Sequence, residues 1–264
     1  MDKAKLIEDI RTFNVAGFRA RLAKLHGLIA RRVVLSARKI TGAKRDLQDI
    51  PVIINSRDRY SCLLLLIKWL ERAGMKRIYI VDNDSTYPPL LEYFKTTPHK
   101  VFRLGVNAGH LALWNSPVYQ MFRSDYYIYT DPDILPSDEC LDDFLPRLMK
   151  CLEENPRIEK AGFALRIDDL PDHYRDKQKV LDWEKQFWRR QVAEDVFDAA
   201  IDTTFALYRP FTNGALWAAP AYRLAGKYVA RHLPWYADSR NPTEEDEYYR
   251  QHIKTNASHW IKGG

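Results

Sequence analysis

The sequence predicts an α/β protein: a Rossmann-like mixed, mostly parallel sheet flanked by helices, with an N-terminal helical extension. Three observations carry this expectation. Short apolar runs alternate with segments of helical period from residue 51 to residue 167, the pattern of strand–helix–strand units whose sheet is covered on both faces. Polar clusters follow the runs, at the strand ends where open α/β sheets bind ligands. Basic charge is confined to the start of the chain: residues 1–50 hold 12 Lys or Arg against 5 Asp or Glu, and residues 51–264 hold 29 against 30. Two regions follow, a basic amphipathic helical extension over 1–48 and a main domain over 49–264, divided into halves at 49–165 and 166–264.

The extension comes first. Leu6, Ile7, Ile10 and Phe13 recur at helical spacing, as do Phe18, Leu22, Leu25, Leu28 and Ile29. Arg19, Arg21, Lys24, Arg31, Arg32, Arg38 and Lys39 fill much of the remaining surface over residues 1–40. Such a helix lies on an anionic membrane surface, or it packs on the core or a partner. Residues 41–48 form a polar linker.

From Pro51 the pattern changes. Val52-Ile53-Ile54-Asn55 is a strand that ends in polar residues, and 61–73 is a helix closed by Gly74. A strand over 77–81 runs into Asp82-Asn83-Asp84-Ser85, followed by a helix over 88–95. The next strand is 101–104, then a short helix over 116–122 and a strand over 126–130 that ends at Asp131. A helix over 141–153 and a strand over 160–167 complete the regular part. Residues 168–190 are charged with interspersed aromatics. Strands are read at 203–208 and 216–220, a helix at 221–230, a loop at 232–241 and a helix at 244–252.

Bulk properties exclude several classes. The longest apolar run, 62–67, is too short to cross a membrane. Cys62, Cys140 and Cys151 have neither metal nor redox spacing, which suits reduced thiols in a cytoplasmic protein, peripheral at the inner face of the membrane if the extension binds lipid. No secretory signal is read. The nearly neutral main domain argues against nucleic acid as a partner.

Asp131-Pro132-Asp133 carries the sharpest chemistry. Two carboxylates two residues apart on extended chain project to the same side. Hard oxygen ligands suit Mg²⁺ or Mn²⁺, which also take water and substrate phosphates, and such a cation offsets the charge of a departing diphosphate. The same tripeptide is also good turn chemistry. Arg103 has a planar fork suited to a diphosphate. Asp202 begins a strand and could bind donor or acceptor hydroxyls. Trp235 and Tyr236, in Arg231-His232-Leu233-Pro234-Trp235-Tyr236, form an acceptor platform or belong to the core. His232 or His259 could add a third metal ligand.

Residues 51–59, 80–86, 107–114 and 127–136 together resemble the nucleotide-binding half of GT-A-fold glycosyltransferases, and are similar to the large bacterial family 2-like group that includes surface-polysaccharide transferases. The resemblance implies metal-dependent transfer of a sugar from a nucleotide-sugar, UDP-linked by preference, to a hydroxyl of a glycan or lipid-linked acceptor. It implies that Asn55, Ser56 and Arg57 line the nucleoside pocket. By the same resemblance Asp82 bonds the base or ribose, Asn107 and Gly109 approach the nucleotide, Asp131 contacts ribose or metal, and Asp133 ligates the metal. The chain departs from the family at Asp84, where a glycine is usual. Inverting transfer needs a carboxylate to take the acceptor's proton. In the family that base sits late in the domain at a loop or helix start, which points to Glu245 and then Glu244. Two other readings stand beside this one. A sugar nucleotidyltransferase would share the sheet and carboxylates, but would have a Gly-rich phosphate loop that is not seen after Pro51. A non-catalytic adaptor on the same fold would dock through the basic helix.

Overall fold

The structure is a computed structural model describing residues 27, 29, 46–212, 214 and 219–252. The predicted extension helix apart from residues 27 and 29, His259 and most of the predicted strand at 216–220 therefore lie outside the described residues.

The first half alternates as expected. It runs β1 (Val52–Ser56), α1 (Tyr60–Arg72), β2 (Ile78–Asp82), α2 (Pro88–Thr96), β3 (Lys100–Arg103), α3 (Tyr119–Phe122) and β4 (Tyr127–Thr130). There follow β5 (Ile134–Pro136), α4 (Phe144–Glu154), β6 (Lys160–Leu165) and α5 (Lys177–Glu184). The described residues end with β7 (Gln191–Ala193), β8 (Val196–Asp198), β9 (Ala206–Tyr208), β10 (Ala221–His232) and α6 (Glu244–His252).

Unbroken apolar strands mean a sheet buried on both faces. Val52 and Ile54 pack with Leu63, Leu66, Ile67 and Leu70 of α1 in the larger core. Ile53 points the other way, into a second core with Val81, Tyr127, Tyr129 and Tyr208, as the two-residue period of a strand requires. Gly74 ends α1 in the left-handed region at φ +75°, the usual helix stop.

The sheet order is β3-β2-β1-β4-β9-β6-β10-β8-β7, with β5 also paired to β10. Pairings β1–β2, β1–β4, β2–β3 and β6–β10 are parallel, and β9 runs against both β4 and β6. Hence β1, β2, β3, β4, β6 and β10 all point one way, and their carboxyl ends share one edge with the loop entering β9. No helix among the described residues is long and apolar enough to cross a membrane. Cys62, Cys140 and Cys151 are free.

The second half departs from expectation in several places. Residues 221–230, read as a helix, form most of β10. Ala, Leu, Arg and Lys favour helix there, but pairing with β6, β8 and β5 on both sides overrides propensity. The register shifts between Leu224 and Val229, and Gly226 at φ +61° makes that irregularity possible. The strand read at 203–208 shortens to β9, because 201–205 form a loop. Helix α5 and strands β5, β7 and β8 occupy stretches in which the sequence signalled none.

Candidate functional site

The shared carboxyl edge collects the polar residues. Register places Ser56 opposite Asp82, and Asp82 opposite Arg103. Asp82 is 1% exposed. Its Oδ1 accepts from the Ser85 amide at 2.9 Å and its Oδ2 from Arg103 Nε at 3.0 Å, while the arginine's outer end stays in solvent. Asp84 takes the left-handed conformation at φ +69°, the geometry that glycine favours.

Two neighbours that the sequence left without a role organise this corner. Asp58, buried and at φ +50°, accepts from the Thr86 and Tyr87 amides at 2.7 and 2.8 Å, capping the entry to α2. Asn83 accepts from the Ala108 amide at 2.7 Å and donates to the Gly109 carbonyl at 2.9 Å. It thereby docks the Asn107-Ala108-Gly109 turn onto the end of β2. Asn107 Oδ1 accepts from the Gly109 amide at 3.0 Å, and Gly109 sits at φ +73°.

Asp131 leaves β4 at the centre of the edge. Its amide donates to the Thr203 carbonyl at 3.0 Å; the Thr203 hydroxyl donates to its carboxylate, and the nearby Asn55 side chain favours the ionised form. Burial pushes the Asp131 carboxyl well above the ordinary range, and Asp133 and Asp202 push the same way against Thr203 and Asn55. Asp133 Oδ2 lies 3.7 Å from Nε2 of His232, at the end of β10. Burial lowers the His232 pKa, helped by Arg59 and opposed by Asp133, so the ring is held neutral and able to ligate a metal. Among the described residues no group of three or more His, Cys, Asp or Glu is placed to hold a metal ion. The donors present, Asp133 and a neutral His232 with Asp131 adjacent, fit a cation that takes its remaining ligands from phosphate and water.

Helix α6 closes the edge over β1. Arg57 donates to the His252 carbonyl at 3.0 Å. Arg59 bonds Asp246 at 2.7 Å and stacks on Tyr249 with its guanidinium 3.8 Å from the ring centre. Glu245 is buried and accepts from the Ser61 amide at 2.9 Å and hydroxyl at 2.8 Å, so it caps the first turn of α1 across space. Thr243 and Asp246 exchange bonds as a capping box, and Glu244 is exposed beside them.

The aromatic platform needs correction. Trp235 is 2% exposed and belongs to the main core, with the His232 ring 4.7 Å away. Its faces are covered and cannot stack a sugar. Tyr236 packs beside that core, and its hydroxyl reaches Asp169 and the Arg166 carbonyl.

The strongest mark of function is what the edge leaves unbonded. Asn55 Oδ1, Ser56 Oγ, Arg57 Nε, Arg59 Nε, Asp202 Oδ1, Thr204 Oγ1 and His232 Nδ1 are buried without a hydrogen-bond partner. Each such atom costs about 1–3 kcal/mol, and native proteins leave few of them. These seven gather at the ends of β1 and β10 and in the loop before β9; the other four such atoms among the described residues, on Trp69, Asp143, Trp188 and Trp235, lie outside that group. Sequence reasoning carried the resemblance through 202–204 but gave Thr203 and Thr204 no role of their own. Their signal was a pair of threonines beside Asp202, read as strand rather than as loop.

No protein-family model matches the chain, and no curated protein matches it either.

Proposed function

We propose that this chain is a metal-dependent glycosyltransferase of GT-A type, moving a sugar from a nucleotide-sugar to a hydroxyl of a glycan or lipid-linked acceptor. One observation carries the reading. Among the described residues, seven of the eleven buried side-chain polar atoms left without partners lie at the carboxyl edge of the sheet, where the Asp131-Pro132-Asp133 segment follows β4. That edge is where such sheets bind nucleotides.

In this reading Asn55 and Ser56 meet the nucleoside, and Arg57 and Arg59 turn their unbonded Nε–H groups to the diphosphate. Asp133 and neutral His232 would hold the divalent cation, Mn²⁺ or Mg²⁺, beside Asp131. When bound, that cation would offset the charge of the leaving diphosphate. Asp131, fixed by Thr203, orients the ribose or the cation. The acceptor's proton goes to a carboxylate at the start of α6. Glu245 is the candidate that is held in place, since Ser61 fixes it beside Cys62. The Cys62 thiol, raised to about 12 mainly by burial, feels both Asp133 and Glu245. The basic extension would bring the enzyme to an anionic membrane surface carrying a lipid-linked acceptor.

Thermal-shift measurement with UDP, with and without Mn²⁺, tests the proposal. The expected result is a stabilisation that needs both UDP and Mn²⁺ and disappears in Asp133→Ala. A shift that is indifferent to metal, or that is unchanged in the variant, would overturn it.

A further inference from the structure

The loop that precedes β9 is held more tightly than a connection requires. Three consecutive carbonyls accept from three buried side chains on three strands. Arg223 Nε of β10 donates to Ala200 O at 2.8 Å, Lys160 Nζ of β6 to Ile201 O at 2.6 Å, and the Tyr208 hydroxyl of β9 to Asp202 O at 3.5 Å. Lys160 is 0% exposed and Arg223 2%. Arg223 is itself held by Glu184 at 2.9 Å and by the Phe187 ring at 3.9 Å. On its other side the loop bonds Asp131 through the Thr203 carbonyl and hydroxyl. Burying two basic side chains is expensive, and here they serve to fix a short loop.

What the loop presents is Asp202. With its carbonyls turned into the sheet, its carboxylate lies near enough to Asp131 to push that carboxyl's pKa up, and its Oδ1 is buried without a partner. Two residues on, Thr204 is 8% exposed with Oγ1 likewise unbonded. An ionised carboxylate only accepts hydrogen bonds, so it calls for a ligand rich in hydroxyl donors. The sheet order β2-β1-β4-β9 puts this loop three strand spacings from Asp82, about 14 Å.

We infer that Asp202 reads hydroxyls of the transferred sugar, with Lys160 and Arg223 as positioning residues that hold its loop; this assignment rests on the nucleotide-sugar reading above. It is tested by calorimetric titration of the full chain, in Mn²⁺, with UDP and with a panel of UDP-hexoses. Asp202→Asn and Lys160→Met should each weaken the best wild-type UDP-hexose about tenfold, as for loss of one charge-assisted hydrogen bond, and leave UDP affinity within about twofold. Equal weakening of both ligands would reduce the loop to a structural role and overturn the inference, as would unchanged affinity for both. If Lys160→Met does not fold, Asp202→Asn, which is isosteric, decides alone. Failure of wild-type protein to bind UDP at all would instead overturn the nucleotide reading, and the sugar assignment with it.

Discussion

At the scale of single residues, the site is a place where stability is given up. Asp131 is half-buried, and its carboxyl is pushed well above the ordinary range by desolvation and by Asp133. A group shifted this way opposes folding once pH rises above its unfolded pKa, because the native state resists ionisation. Asp131→Asn keeps the shape and an acceptor for the Thr203 hydroxyl while removing the charge. At neutral pH the free variant should be more stable by about 1 kcal/mol, a rise in Tm of about 2–4 °C for a domain of this size, and it should lose Mn²⁺-dependent UDP binding. A lower melting temperature in calorimetry would contradict this account. The residue-level chemistry was partly legible. The two carboxylates after an apolar strand stand out in the sequence, as does Asp82. Asp58, Asn83 and Thr203 do not, because each acts through a partner distant in sequence, such as the Tyr87 amide, the Gly109 carbonyl or the Asp131 carboxylate.

At the scale of elements, α6 and α1 depend on each other. The acidic first turn of α6 reads in sequence as ordinary helix-start acidity, which Thr243 and Asp246 bear out. Glu245 goes further and satisfies the Ser61 amide of α1, a helix whose preceding residue, Arg59, makes no side-chain capping bond. Glu245→Ala should therefore cost about 1–2 kcal/mol of stability, the usual loss for a deleted cap, measured by urea unfolding. Glu244→Ala, at an exposed position in the same turn, should fall within about 0.5 kcal/mol of wild type. Equal costs would show that the contact across space contributes nothing. The main miss among elements was β10. Its composition suits a helix, and only neighbours on both sides make it a strand.

At the scale of the whole molecule, buried basic groups link the sheet to the site. Burial pulls Lys160 down to about 7, with Asp202 opposing. In the unfolded chain the same amine titrates near the ordinary lysine value, about 10.4. Between these values the unfolded chain binds a proton that the native state does not. Stability therefore rises with pH across that window, by up to about 1.4 kcal/mol per unit, and the cost of charging Lys160 is fully present below it. Urea unfolding of wild type and Lys160→Met from pH 6.5 to 9.5 checks this. Wild type should gain on the variant as pH rises, and parallel curves would mean that Lys160 titrates normally.

The sequence by itself determined the alternating first half, its strand directions and the polar character of each strand end. Period and connection length are local properties, and a strand–helix–strand unit has few ways to close. Only the tertiary structure decided that β9 inserts against the others between β4 and β6, which brings Thr203 and Asp202 to Asp131. It also brought His232 to Asp133, at 3.7 Å across about a hundred residues of chain, and put Trp235 in the core. Such choices depend on which partners satisfy a buried polar group, and those partners are remote in the chain.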